Sequence, residues 1–225
     1  MYLYIKRFFD VIVASIVLVL LLPVFIPVMI LLRLTGEGEI FYRQERMGYK
    51  NSRFQIWKFA TMLKNSPNIG TGDVTLRNDP RVTWMGRFLR MSKINELPQV
   101  LNILSGDMSI VGPRPLMPAG FFRYSQELQA AVYNVKPGLT GIGSIVFRDE
   151  EKIITDSGLP PHECYEKIIL PLKGALEIWY QKNISFFTDI KIIFLTAWAI
   201  LFPTTELHYK WLKELPAKPT APSKA

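Results

Sequence analysis

Three stretches of this 225-residue chain set charged residues beside glycine and proline turns: GRFLRMSKINELPQVLNILSGDMS, IVGPRPL and KPGLTGIGSIVFRDEE. At such turns the backbone can come close to a ligand. Arg90, Arg114 and Arg148 lie in these stretches, and a planar guanidinium donates paired, charge-assisted hydrogen bonds that suit phosphate. A pyrophosphate would need several such groups. Glu96 and Asp107 offer carboxylates that could hold Mg²⁺, an ion that takes one or two protein carboxylates and fills its shell with water and phosphate oxygens. Each residue also has a plainer reading. Arg90 or Arg114 could be a surface ion-pair partner, Glu96 a first-turn carboxylate at a helix N-terminus, and Gly112 with Pro113 ordinary turn residues.

The whole-chain balance agrees with anionic partners without choosing among them. There are 27 Lys plus Arg against 19 Asp plus Glu, a formal net charge of +8, which favours phospholipid headgroups, nucleotides or nucleic acid. The one cysteine, Cys164, excludes an internal disulfide framework and points to a reducing compartment. His162 and His208 are the only histidines, and a bland surface or core cysteine is the better reading than a catalytic thiol.

These residues must be positioned by a chain that begins with a membrane segment. Residues 11–32, VIVASIVLVLLLPVFIPVMILL, carry no charge and are flanked by Lys6, Arg7 and Asp10 on one side and Arg33 on the other. At ~1.5 Å per residue the run just crosses a hydrocarbon core of ~30 Å as a plain helix. Pro23 and Pro27 lack a donor N–H and clash with the preceding turn. A break near Pro23 leaves two halves too short to cross alone, and basic residues at both ends favour placing both in the cytoplasm. The residues leave the straight crossing and the re-entrant bend both open.

Beyond Gly36 and Gly38, EIFYRQERMGYKNSRFQIWKFATM alternates apolar and polar residues around a turn at Lys50, Asn51 and Ser52, which predicts a hairpin. Residues 65–80 read as a loop. Helical spacing from Val82 to Leu104 predicts two short helices meeting near Asn95 and Glu96, with Pro98 starting the second. A proline-rich turn at 111–118 precedes a helix through 121–134, a second loop runs from Lys136 to Gly141, and an apolar helix spans Ile184 to Phe202 on the membrane surface or against the domain. The tail from Pro216 is expected to be disordered.

The segments KRFFDVIVAS, FYRQERMG, KFATM, NDPRVTWMGRFLR, NELPQVLNILSGDMSIVGPRPL, KPGLTGIG and NISFFTDIKIIFLTA occur in this order. Together, from about Lys6 to Leu201, the chain resembles the bacterial sugar transferase family, the small monotopic phosphoglycosyl transferases. The resemblance implies a re-entrant membrane helix broken at Pro23. It also implies a Mg²⁺-dependent transfer of a sugar phosphate from a nucleotide diphosphate sugar, expected to be a UDP-sugar, to polyprenyl (undecaprenyl) phosphate, releasing nucleoside monophosphate. In the family an Asp-Glu pair supplies the nucleophile and its neighbour through a covalent phosphosugar; the matching positions are Asn95 and Glu96.

An amide at 95 is far less nucleophilic than a carboxylate and brings no charge to Mg²⁺. Glu96 is therefore the first choice of nucleophile, with Asp107 or an inactive chain as alternatives. Ala60 stands where a basic residue is frequent, Leu22 where serine is usual, and residues 150–176 look longer than in the smallest members.

The expected fold class is α+β, mostly α: a re-entrant helix over 1–35, a cytoplasmic-face domain over 36–203 with a short hairpin and membrane-surface helices, and a tail over 204–225. The expected function is phosphoglycosyl transfer that initiates surface glycan assembly at the cytoplasmic face of the bacterial inner membrane. The phospholipid membrane, and a homodimer, are expected partners. Catalysis is assigned to Glu96 and Asn95, phosphate binding to Arg90, Arg114 and Arg148, and metal binding to Glu96 and Asp107. A membrane-bound scaffold that keeps the donor pocket is the alternative. A single-span anchor carrying a nucleic-acid-binding domain ranks last, for want of any nucleic-acid motif.

Overall fold

The uncharged run lies inside one α-helix, α1 (Tyr2–Leu34), the first element of a computed structural model that describes residues 2–66 and 79–217. Only Asp10, Ala14, Phe25, Val28 and Leu32 are buried along it, while Val19, Leu20, Ile26 and Ile30 are among many exposed apolar side chains. A bilayer removes the cost of such exposure, and among the described residues this is the one helix long and apolar enough to cross a membrane. Pro23 and Pro27 both sit within the helix. Helical structure continues through both, so a change of direction at Pro23 would be a bend within one helix.

Two compact units follow from the packing: Met1–Phe8 with Arg46–Phe54 and Asp107–Ala225, and Phe9–Glu45 with Gln55–Gly106. The predicted hairpin is present as β1 (Phe41–Met47) and β2 (Arg53–Phe59), paired with each other. Its turn uses left-handed Lys50 and Asn51, at φ 53° and 58°.

In the unit Phe9–Glu45 with Gln55–Gly106, Phe25 of α1 meets Phe59 of β2 edge-on at 5.2 Å, and Phe59 stacks on Phe41 at 5.5 Å. Helix α2 (Trp84–Met91) starts at Thr83, whose hydroxyl accepts the Gly86 N–H at 3.0 Å. A Cβ at Gly86 would stand 2.0 Å from the Thr61 carbonyl oxygen, so glycine lets α2 lie on the strand-exit backbone. The chain then turns through left-handed Lys93 (φ 60°) into a 3₁₀ turn, Ile94–Gln99, and on to α3 (Val100–Ser105). Pro98 falls inside that 3₁₀ turn, and the α-helix proper begins two residues later than expected. Asn102 ties α3 to β2: its Oδ1 accepts the Trp57 N–H at 2.9 Å and its Nδ2 donates to Gln55 O at 2.8 Å.

The other unit holds β3 (Ser109–Val111), α4 (Pro118–Phe121), α5 (Gln126–Val132), β4 (Gly138–Thr140) and α6 (Ile142–Val146). It continues with α7 (Glu150–Ser157), α8 (Pro161–Cys164), a π-helical turn at Tyr165–Ile169, α9 (Leu170–Lys182), α10 (Phe186–Leu201) and α11 (Leu207–Trp211). The helix expected over 121–134 is two helices, because the chain breaks after Phe121 and Ser125 caps the second by accepting the Leu128 N–H. The loop expected at Lys136–Gly141 contains β4, which runs parallel to β3 with Ser109 opposite Gly138 and Val111 opposite Thr140. Val111, Ile142, Ile169, Leu176, Tyr180 and Ile192 centre the core. Cys164 is fully buried there, the bland reading of that residue. Helix α10 turns Ile192, Leu195 and Ala199 inward and leaves Phe187, Ile190, Ile193 and Leu201 exposed. Most of the loop expected at 65–80, and most of the tail from Pro216, lie outside the described residues.

Candidate functional site

The 3₁₀ turn places Asn95 and Glu96 side by side, the first buried and the second half-buried. Glu96 faces Lys58 of β2, with Nζ 3.8 Å from Oε1. Asn95 Oδ1 is buried without a hydrogen-bond partner among the described residues, a costly state unless a ligand or cation completes it. Arg90, in the last turn of α2, donates from Nε to the Thr61 hydroxyl at 2.8 Å. Burial pulls its guanidinium below the ordinary arginine value, opposed by the Asp79 carboxylate and, more weakly, by Glu96. Asp79 itself is fully engaged with buried Arg81, which donates Nε at 2.9 Å and Nη2 at 2.6 Å and reaches Ser66 O with Nη1 at 2.9 Å. This bidentate pair fixes the backbone on which Thr61 and α2 rest, since Leu63 N–H bonds Arg81 O and Thr83 N–H bonds Thr61 O.

The remaining predicted residues belong to the other unit. Asp107, Arg114 and Arg148 are all exposed. Arg114 projects from a turn whose neighbours Gly112, Pro113 and Pro115 are buried. That turn is held at nearly every backbone group. Gly112 N–H bonds Thr140 O, Gly138 N–H bonds Pro113 O, the Tyr133 hydroxyl donates to Arg114 O at 2.9 Å, and Arg46 Nη1 reaches Pro115 O at 3.2 Å. Three glycines make this possible. A Cβ at Gly112 would lie 2.3 Å from Lys136 O, one at Gly138 2.1 Å from Gly112 N, and one at Gly141 2.1 Å from Gly112 O. The glycines of the GPRP and KPGLTG segments thus press two backbones together behind one exposed arginine.

The start of α1 is tied down in this unit too. Lys6 Nζ lies 2.5 Å from Asp189 Oδ2, the Tyr2 hydroxyl donates to the same oxygen at 2.6 Å, and the Tyr180 hydroxyl donates to Oδ1 at 2.7 Å. Asp189 sits in the first turn of α10, where a carboxylate also complements the helix dipole.

A family model described as bacterial sugar transferase matches residues 1–203. The chain belongs to that family. The exopolysaccharide production protein ExoY of Rhizobium meliloti (strain 1021) is 33% identical over 211 residues, covering 87% of this chain and 84% of that protein. The UDP-glucose:undecaprenyl-phosphate glucose-1-phosphate transferase of Escherichia coli (strain K12) is 37% identical over 194 residues, 85% of this chain and 39% of that protein. The undecaprenyl-phosphate galactose phosphotransferase of Salmonella typhimurium is 30% identical over 212 residues, 88% of this chain and 40% of that protein. The chain thus spans most of ExoY and about two fifths of the longer two relatives.

Lys58, Thr61 and the Asp79–Arg81 pair were not foreseen as parts of the site. The family motifs KFATM and NDPR contain all four residues, and that was the available signal; the partners of Lys58 and Thr61 lie too far along the chain for spacing to reveal. As possible Mg²⁺ ligands, the Glu96 carboxylate and the unpartnered Asn95 Oδ1 are hard oxygen donors on adjacent residues, which suits an ion that takes the rest of its shell from phosphate and water. Among the described residues no three His, Cys, Asp or Glu cluster into a protein-only cage.

Proposed function

We propose that this chain transfers a sugar phosphate from a nucleotide diphosphate sugar to polyprenyl phosphate, the first step of surface-glycan assembly. The observation that carries the reading is the turn Ile94–Gln99, where a carboxylate and an orphaned buried oxygen stand together beside Lys58 on a chain of this family. The relatives' names supply UDP-glucose as a donor and undecaprenyl phosphate as an acceptor, and a UDP-hexose is the donor proposed here.

Glu96 attacks the phosphorus that bears the sugar. A new bond forms between its carboxylate oxygen and that phosphorus, the bond to the bridging oxygen breaks, and nucleoside monophosphate leaves with the electron pair. An oxygen of polyprenyl phosphate then attacks the same phosphorus and frees the carboxylate. Mg²⁺, held by Glu96 and Asn95 with Asp107 as a further candidate, would neutralise charge on the pyrophosphate. Lys58 sits where it can balance the carboxylate. Arg90, Arg114 and Arg148 bind phosphate oxygens, and positioning with charge neutralisation does most of the work in such transfers.

Helix α1 brings the lipid phosphate to this chemistry. Its first residues are bonded to Asp189 and its last residue leads within seven positions into β1, so each end is tied to folded structure. Pro23, Pro27 and the basic flanks support a helix that bends and returns, with both ends on the cytoplasmic face. The exposed apolar side chains of α10 suit the same membrane surface.

A panel of nucleotide diphosphate sugars, each incubated with polyprenyl phosphate and the membrane-bound protein, tests the proposal through release of nucleoside monophosphate. Release with at least one donor, lost in Glu96→Gln, is expected. Donor binding without release from any donor would favour the scaffold reading that Asn95 motivates.

A further inference from the structure

Behind the Arg114 turn lies a buried acid with no part in the mechanism above. Glu177, on the inward side of α9, is 5% exposed. Its Oε1 accepts the Arg114 amide N–H at 3.3 Å, and its buried Oε2 has no hydrogen-bond partner among the described residues. Proline has no N–H, so in Pro113-Arg114-Pro115 the Arg114 amide is the only backbone donor, and it is aimed at this carboxyl. Helix α6 makes room for it: a Cβ at Gly143 would stand 2.6 Å from Glu177 Oε1.

Among the described residues, the charged and titratable groups facing Glu177 are few. Lys173 lies one turn earlier on α9 and pairs with Glu150 of α7 at 2.6 Å. Arg114 lies on the turn, and Tyr124 and Tyr133, beside α5, have hydroxyls that burial pushes up, with Glu177 adding to the effect.

We infer that Glu177 is a positioning residue for Arg114, its carboxyl holding the one amide donor of the Pro-Arg-Pro turn so that the exposed guanidinium is presented to an anionic ligand. This rests on the reading that Arg114 binds a donor phosphate. Charge state is part of the device. Burial pushes the Glu177 carboxyl up to about 8, against the opposing pull of the Arg114 amide, Lys173 and the Arg114 cation. The neutral carboxyl accepts the amide through its carbonyl oxygen and adds no negative charge behind Arg114. The ionised form sets a buried negative charge behind that arginine, where low dielectric magnifies it, and so weakens attraction for a pyrophosphate.

The test is the donor KM and kcat of the full-length membrane-bound protein between about pH 6.5 and about 8.8, measured for the wild type, Glu177→Gln, Glu177→Ala and Arg114→Ala. In the wild type the KM should rise about threefold or more across that range while kcat changes less. Glu177→Gln keeps an acceptor oxygen and cannot ionise; it should match wild-type KM near neutrality and show no alkaline rise. Glu177→Ala should raise KM at every pH. An equal alkaline rise in Glu177→Gln overturns the inference, as does a wild-type KM in folded Glu177→Ala. If Glu177→Ala does not fold, the Glu177→Gln profile decides alone. An unchanged KM in Arg114→Ala would show instead that the phosphate reading has failed, and the role given to Glu177 would fall with it.

Discussion

A single amide carries the main chemical question. Asn95 carries an amide where the resemblance implies a carboxylate, and its side-chain oxygen is buried without a partner among the described residues. With Glu96 as nucleophile, donor alone should release nucleoside monophosphate and leave a phosphosugar adduct on Glu96, detectable by mass spectrometry; Glu96→Gln should abolish it. Asn95→Asp should raise turnover by restoring a charged ligand, and activity confined to that variant would identify the present chain as an inactive form. Arg114→Ala should raise donor KM by about tenfold to a hundredfold, the cost of one charge-assisted contact of ~1.5–3 kcal/mol, while circular dichroism and membrane binding stay unchanged. Glu177 also leaves a mark on folding. Its native value lies above the unfolded one, so its contribution to stability is complete below about pH 4.5 and is lost as pH rises through about 8. Glu177→Gln should flatten that decline in a thermal melt. The arginines and Glu96 were legible as residue types beside turns. Glu177, Lys58 and Thr61 were not, because each meets its partner 29–63 positions away, and a local pattern cannot register such a distance.

Elements were legible in proportion to their length and periodicity. The hairpin followed from two alternating runs around Lys50 and Asn51, and α10 from a long apolar period closed by Phe202. The parallel pair β3–β4 was missed because each strand has three residues and is bordered by turn-forming proline and glycine, which dominate any local reading. The short helices between Ile142 and Ile169, including the π-helical turn, have at most 8 residues each, too few to show a period. What the glycines do became visible only in the packing. Gly112→Ala and Gly141→Ala should each destabilise the protein by about 2 kcal/mol or more, lowering Tm by at least about 4 °C, since backbone lies within 2.3 Å of the added carbon and cannot yield as a side-chain tip would. A melt indistinguishable from wild type would contradict that account. For α1, cysteines placed singly at residues 4 and 34 should both be inaccessible to a membrane-impermeant reagent in intact cells, and labelling of either from outside would exclude the bent, returning helix.

For the molecule as a whole, the proposed reaction moves a sugar phosphate rather than a sugar. The two possibilities leave different lipids. Phosphosugar transfer yields a polyprenyl diphosphate sugar and nucleoside monophosphate; transfer of the sugar alone yields a polyprenyl monophosphate sugar and nucleoside diphosphate. Mass spectrometry of the lipid formed from polyprenyl phosphate and a UDP-hexose distinguishes them in one measurement. The diphosphate-linked product with one equivalent of UMP is expected, and a monophosphate-linked product with UDP would contradict the proposed transfer.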